Sequence, residues 1–79
     1  MQAAAFCLII LTLNAAGPRR VHQGWPTRRE AIVSRLKAEA ADAAAFQEVW
    51  RATDLEALAA GAGHPNRSHD AALGVAVTS

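Results

Sequence analysis

The chain alternates between apolar segments and stretches rich in Gly, Pro and charge. The first apolar run, Phe6 to Leu13 ("FCLIILTL"), does not alternate with polar residues. Such a run predicts a strand covered on both faces. It ends at Asn14, and Gly17, Pro18, Gly24 and Pro26 make the next dozen residues a loop with two breaks. Thr27-Arg28-Arg29-Glu30 has the form of a capping box, in which the Thr27 hydroxyl takes an amide of the first turn and Glu30 reaches back. Ile32, Val33, Leu36 and Ala40 then recur at helical spacing, with Arg28, Arg29, Arg35, Lys37 and Glu39 on a solvated face.

"DAAAFQEVW", Asp42 to Trp50, is the ambiguous stretch. Alanine favours a helix continuing from Thr27 to Trp50. Asp42 as a break, with Phe46, Val49 and Trp50, favours a strand ending at Glu48. Strand is the slightly better reading, with Trp50 in the core. A second capping box, Thr53-Asp54-Leu55-Glu56, opens a short helix with Leu55, Leu58 and Ala59 on its apolar side and Gly61 beyond its end. "GAGHPNRSHD" is a loop by composition, and "AALGVAV" is a third strand.

The order β-loop-α-β-α-loop-β predicts an α/β fold with at least one crossover unit. Two helices, one of them short, are too few to cover apolar strands on both faces. The expectation is therefore the front portion of a larger domain.

Length and composition sharpen this. Seventy-nine residues allow at most one small domain, and 52% hydrophobic with 19% charged residues excludes a disordered chain. A formal net charge of +1 argues for neither nucleic acid nor membrane. Cys7 has no partner for a disulfide and is expected to be buried and inert, and no Cys/His spacing suggests zinc. The N-terminal run has the length of a signal peptide but lacks a positive n-region, and it is too short to span a bilayer. A strand, and with it a cytoplasmic protein, is the preferred reading; a secreted protein is the alternative.

The candidate chemistry lies at two strand ends. Functional groups of open α/β sheets gather at the carboxyl ends of strands. A crossover helix would make the two strands parallel, and Asn14 and Glu48 would then meet at one edge. Mg²⁺ takes oxygen ligands and commonly only one or two carboxylates, with water and substrate phosphate completing its shell. Glu48 could be that carboxylate, and Asn14 could hold the metal or a phosphate oxygen. The plainer alternative is a turn residue and a solvated charge.

"LTLNAAG", an Arg-bearing helix and "DAAAFQEV", in that order, resemble the start of the endonuclease/exonuclease/phosphatase superfamily of deoxyribonuclease-I-like metal-dependent phosphoesterases. Thr12-Leu13-Asn14 matches its "T-x-N" strand end and Gln47-Glu48 its "Q-E" strand end. "DLEAL" and "GVAVTS" resemble the following helix and strand. The resemblance implies the N-terminal β-α-β-α-β portion of a two-sheet α/β sandwich. It also implies Glu48 as a Mg²⁺ ligand (Mn²⁺ being possible), Asn14 as a catalytic residue lining the same pocket, and Gln47 in support. The family's later groups, an Asp-x-Asn pair and a closing Ser-Asp-His, are not in this sequence. The chain is thus expected to be a fragment of a phosphoesterase, inactive alone, lacking the C-terminal part of its domain. Nucleic acid, phospholipid and inositol phosphate are not distinguished as substrates. The competing expectation is a small non-catalytic α/β interaction protein.

Ser68-His69-Asp70 lies in the expected loop in the wrong order for the closing motif, and consecutive residues seldom converge as a triad must. It is read, with His64, as ordinary polar loop. Arg19, Arg20, His22 and Trp25, in the loop after Asn14, are read as solvated.

Overall fold

The computed structural model describes residues 8–20 and 22–79. The expectations for Cys7 and for the start of the N-terminal run lie outside these residues. Among the described residues six elements follow in order: β1 (Ile10–Asn14), α1 (Trp25–Glu39), β2 (Ala43–Gln47), α2 (Ala52–Ala62), β3 (Arg67–Asp70) and β4 (Val75–Thr78). The fold is α/β. One four-stranded sheet has the order β1-β2-β4-β3, with β1 and β2 parallel and the other two neighbouring pairs antiparallel.

The parallel pair bears out the crossover expectation, and β2 replaces the competing long helix. That helix stops because Ala40 turns left-handed at φ 49 and donates its amide to the Leu36 carbonyl. The Asp42 carboxylate then accepts from the Ile9 amide at 2.8 Å, which starts β2 beside β1.

Three boundaries differ from the sequence reading. Neither capping box forms: Gly24 and Arg51 are the N-caps, and neither helix has a side-chain cap. Helix α1 begins two residues before Thr27 because Pro26, which lacks an amide and has a preset φ, suits a first turn, and because Trp25 is drawn into the core at 2% exposure. Trp25 is therefore not a solvated loop residue. Gly61 lies within α2, and Gly63, at φ 73, ends it. The segment read as a loop also contains β3, a polar edge strand, and a turn at Ala71–Gly74 divides it from β4. The Asp70 carboxylate accepts from the Ala72 and Leu73 amides, and Gly74 turns at φ 71.

Alternation along the strands separates two faces. Ala44 and Phe46 of β2 and Ala76 of β4 lie in the core with Trp25 and Leu36 of α1 and Leu55 and Leu58 of α2. Both helices thus pack on one face. The other face carries Ile10, Val75 and Val77, which are 61%, 42% and 52% exposed. The difficulty of covering both faces is resolved by leaving one bare.

His64 is not an ordinary loop residue. It is buried, with Nε2–H donating to the Ala41 carbonyl and Nδ1 against the Thr78 hydroxyl, both at 2.7 Å. The carbonyl can only accept, so Nε2 carries the proton. The ring ties the end of α2 to the start of β2 and to β4.

Candidate functional site at the carboxyl edge of the sheet

Because β1 and β2 run in parallel and in register, Asn14 lies directly opposite Gln47. Glu48 is the next residue, so Asn14 and Glu48 share one edge. The chain leaving β1 folds across that edge. Asn14 Oδ1 accepts from the Ala16 amide at 2.9 Å in an Asx turn, and Ala16 takes φ 48. The Ala15 amide donates to the Gln47 carbonyl and the Gly17 amide to the Glu48 carbonyl, each at 2.9 Å. Position 17 requires glycine, since a Cβ there would lie 2.8 Å from the Glu48 carbonyl oxygen.

Glu48 is held between two neighbours. Its carbonyl serves the β1 side, while Val49 donates its amide to the Gly74 carbonyl at 2.8 Å on the β4 side and is itself buried. Meeting both demands puts Glu48 at φ 57, a left-handed conformation that costs an L-residue about 1–2 kcal/mol. Its side chain is exposed, with no ion pair or hydrogen bond among the described residues. Asn14 is exposed as well, and Gln47 is half-buried.

The donor set suits a hard cation only in part. Glu48 supplies one carboxylate and Asn14 one amide oxygen, already engaged once in its turn. Among the described residues no three His, Cys, Asp or Glu groups converge, and no cavity forms at the edge. That is compatible with Mg²⁺ bound mainly through water and phosphate, and too little for a tight all-protein site.

Behind the edge is a buried cluster that sequence reasoning did not find. Asp54, 1% exposed, accepts from Trp25 Nε1 at 2.8 Å, from Arg29 at 2.9 Å and from Arg51 Nε at 2.7 Å. Burial alone would raise the Asp54 carboxyl, but the hydrogen bonds from Arg51, Trp25 and Arg29 outweigh it and hold it below the usual value. Asp54 in turn raises Arg51. Arg29 is thus a partner of a buried carboxylate and not part of a solvated face. The available signal was Arg51 three residues before Asp54, a spacing that suits an ion pair at a helix start.

Two further arginines frame the edge. Arg28 donates to the Ala16 carbonyl and lies 4.9 Å from the centre of the Trp25 ring. Arg19 lies 4.0 Å from the centre of the Trp50 ring, which packs against Gly74. Trp50 is therefore half-buried and not full core. Ser68 and Asp70 alternate with His69 along β3, and His69 donates Nε2–H to the Val49 carbonyl at 2.7 Å while Asp70 caps the turn. The three do not converge.

Comparison with protein-family models, with curated proteins and with solved structures finds no match. No helix among the described residues is long and apolar enough to cross a membrane.

Proposed function

We propose that this chain is the N-terminal portion of a Mg²⁺-dependent phosphoesterase, hydrolysing phosphodiester or phosphomonoester bonds only together with groups outside it. The observation that carries the reading is Glu48. It is a non-glycine residue in a left-handed conformation at the carboxyl end of a central strand, beside Asn14, with a carboxylate that has no partner among the described residues. The backbone bonds to Gly17 and Gly74 account for the left-handed turn, which glycine would adopt without strain; a glutamate there, exposed and with no side-chain partner among the described residues, supports a functional role for the carboxylate.

In this reading Glu48 would hold Mg²⁺, or Mn²⁺, and Asn14 would orient a phosphate oxygen or a bound water. The metal would stabilise charge on the phosphoryl group. A second sheet, packed on the bare face, would complete the sandwich that the resemblance to the superfamily implies.

The test is thermal melting with and without millimolar Mg²⁺. A cation bound only by the native state must raise the melting temperature. The expected result is a small rise in the native chain that Glu48→Gln abolishes, with no turnover by either. No shift, or one that survives Glu48→Gln, would overturn the proposal.

The bare face carrying Ile10, Val75 and Val77 favours a second reading, a non-catalytic interaction module. It requires the fold to be indifferent both to Mg²⁺ and to Glu48→Gln.

A further inference from the structure

Two consecutive peptides follow Glu48, and both are tied. The first has its Glu48 carbonyl on the Gly17 amide and its Val49 amide on the Gly74 carbonyl. The second begins at the Val49 carbonyl, which accepts from His69 Nε2 at 2.7 Å. Among the described residues this is the one hydrogen bond from a side chain to the backbone of residues 47–50. A carbonyl only accepts, so Nε2 carries the proton and the ring is the donor.

His69 reaches this point from β3, two strands away from β2. Register places Phe46, Ala76 and His69 in one row across β2, β4 and β3. Paired residues of neighbouring strands share a face, so the half-buried imidazole lies on the helix-covered side with Ala76. A side chain as small as alanine in the middle of the row lets a ring on the edge strand reach the end of β2. The other ties at the turn come from backbone groups that most sequences possess, whereas the tie from His69 depends on the side chain. With the Val49 carbonyl held, Val49 cannot swing its amide away from Gly74. The left-handed backbone of Glu48, at φ 57, is thereby kept although an L-residue disfavours it.

We propose that His69 is a positioning residue for Glu48: by holding the peptide beyond it, His69 sets the direction in which the carboxylate leaves the sheet edge beside Asn14, and with it the affinity for a divalent cation. The second part rests on the reading of this edge as a cation site, and it adds a residue of the β3–β4 hairpin that acts through the backbone alone.

Two variants separate the donor from its bulk. His69→Leu removes the N–H, and His69→Gln keeps one on a flexible side chain. The readout without metal is the NMR spectrum of the isotope-labelled chain in EDTA, taken as the HN–Hα coupling of Glu48 and the amide shift of Val49. His69→Leu is expected to move both, and His69→Gln to return them towards the native values. Titration with Mg²⁺, followed at the Glu48 amide, is the second readout. His69→Leu should weaken binding about tenfold, as loss of an outer-shell partner does, and His69→Gln should recover most of it. Gly61→Ala, which crowds Val33 on α1, lowers stability away from this edge and should leave the coupling and the affinity unchanged, so general destabilisation is told apart. Should the leucine chain not fold, His69→Thr, which suits an edge strand and is too short to reach Val49, takes its place. An unchanged Glu48 coupling in His69→Leu, a loss as complete in His69→Gln, or a Mg²⁺ affinity equal to the native one in His69→Leu would overturn the proposal. A native chain without any Mg²⁺ response, whose Glu48 turn is still lost in His69→Leu and regained in His69→Gln, would remove the metal reading and support the positioning role, so the two fail separately.

Discussion

Glu48 and Ala40 adopt the same left-handed backbone, at φ 57 and 49, for different reasons. Ala40 ends a helix, whereas Glu48 joins two neighbouring strand ends through its own carbonyl and the amide of Val49. Glycine would relieve either position, offset by its greater entropy when unfolded, so Glu48→Gly and Ala40→Gly should each stabilise the chain by about 0.5–1 kcal/mol in urea titration. Only Glu48→Gly should also remove the melting shift that the proposed Mg²⁺ binding at this edge would produce. A loss of stability on Glu48→Gly would mean that the carboxylate has a structural task instead. Asp54 is the opposite case, a buried carboxylate with every tie made inside the fold. Its folded pKa lies below the ordinary 3.8, so its stabilising contribution is present above that value and is lost as pH falls below it towards the folded value. Asp54→Asn keeps one oxygen for the Trp25 indole but loses the charge facing Arg29 and Arg51. It should cost about 2 kcal/mol at neutral pH and flatten the acid limb of the stability curve, as followed by circular dichroism.

Between elements, contact depends on side-chain size in ways that periodicity does not encode. The stripe Leu55, Leu58 and Ala59 was legible and is buried, as was the strand nature of residues 43–47. Gly61 was not: it resembled a helix terminator, yet it lies in α2 against Val33 of α1, where a Cβ would come within 2.6 Å of a valine methyl. Gly61→Ala should therefore destabilise the chain by roughly 1 kcal/mol or more even though alanine is the better helix former, because overpacking outweighs propensity. Denaturant midpoints decide the sign. The same limit hid the Asp54 cluster, whose donors come from α1 and from the entry to α2, and the His64 bridge, whose partners are distant in sequence. It hid β3 too, since a polar edge strand is defined by its neighbour and not by its own pattern. Asn14 and Glu48 were legible because strand ends and a crossover suffice to bring them to one edge. The left-handed turn at Glu48 was not, because it arises from bonds to Gly17 and Gly74.

For the molecule as a whole, the unequal treatment of the two sheet faces is the dominant fact. Helices bury Phe46 and Ala44 to 1% exposure, while Ile10, Val75 and Val77 stand on the opposite face in water. In register, Val77 lies beside Ala45 on one neighbour and Ser68 on the other, and Ala45 lies beside Thr12. One row of this face is therefore small and smooth, which suits close packing of a second apolar layer better than solvent. An exposed apolar surface of this kind promotes association. The chain should sediment as a concentration-dependent mixture and bind an anilinonaphthalene dye. Val77→Lys should reduce both effects while leaving the urea midpoint nearly unchanged, because a side chain already half in water surrenders little burial on becoming charged. A large fall in stability with Val77→Lys would show that this face is packed in the isolated chain. A monomer at all concentrations with no dye bound would show that the exposed side chains are too dispersed to act as a surface. Either result would remove the physical need for a second layer, and with it the support that the bare face lends to a two-sheet sandwich.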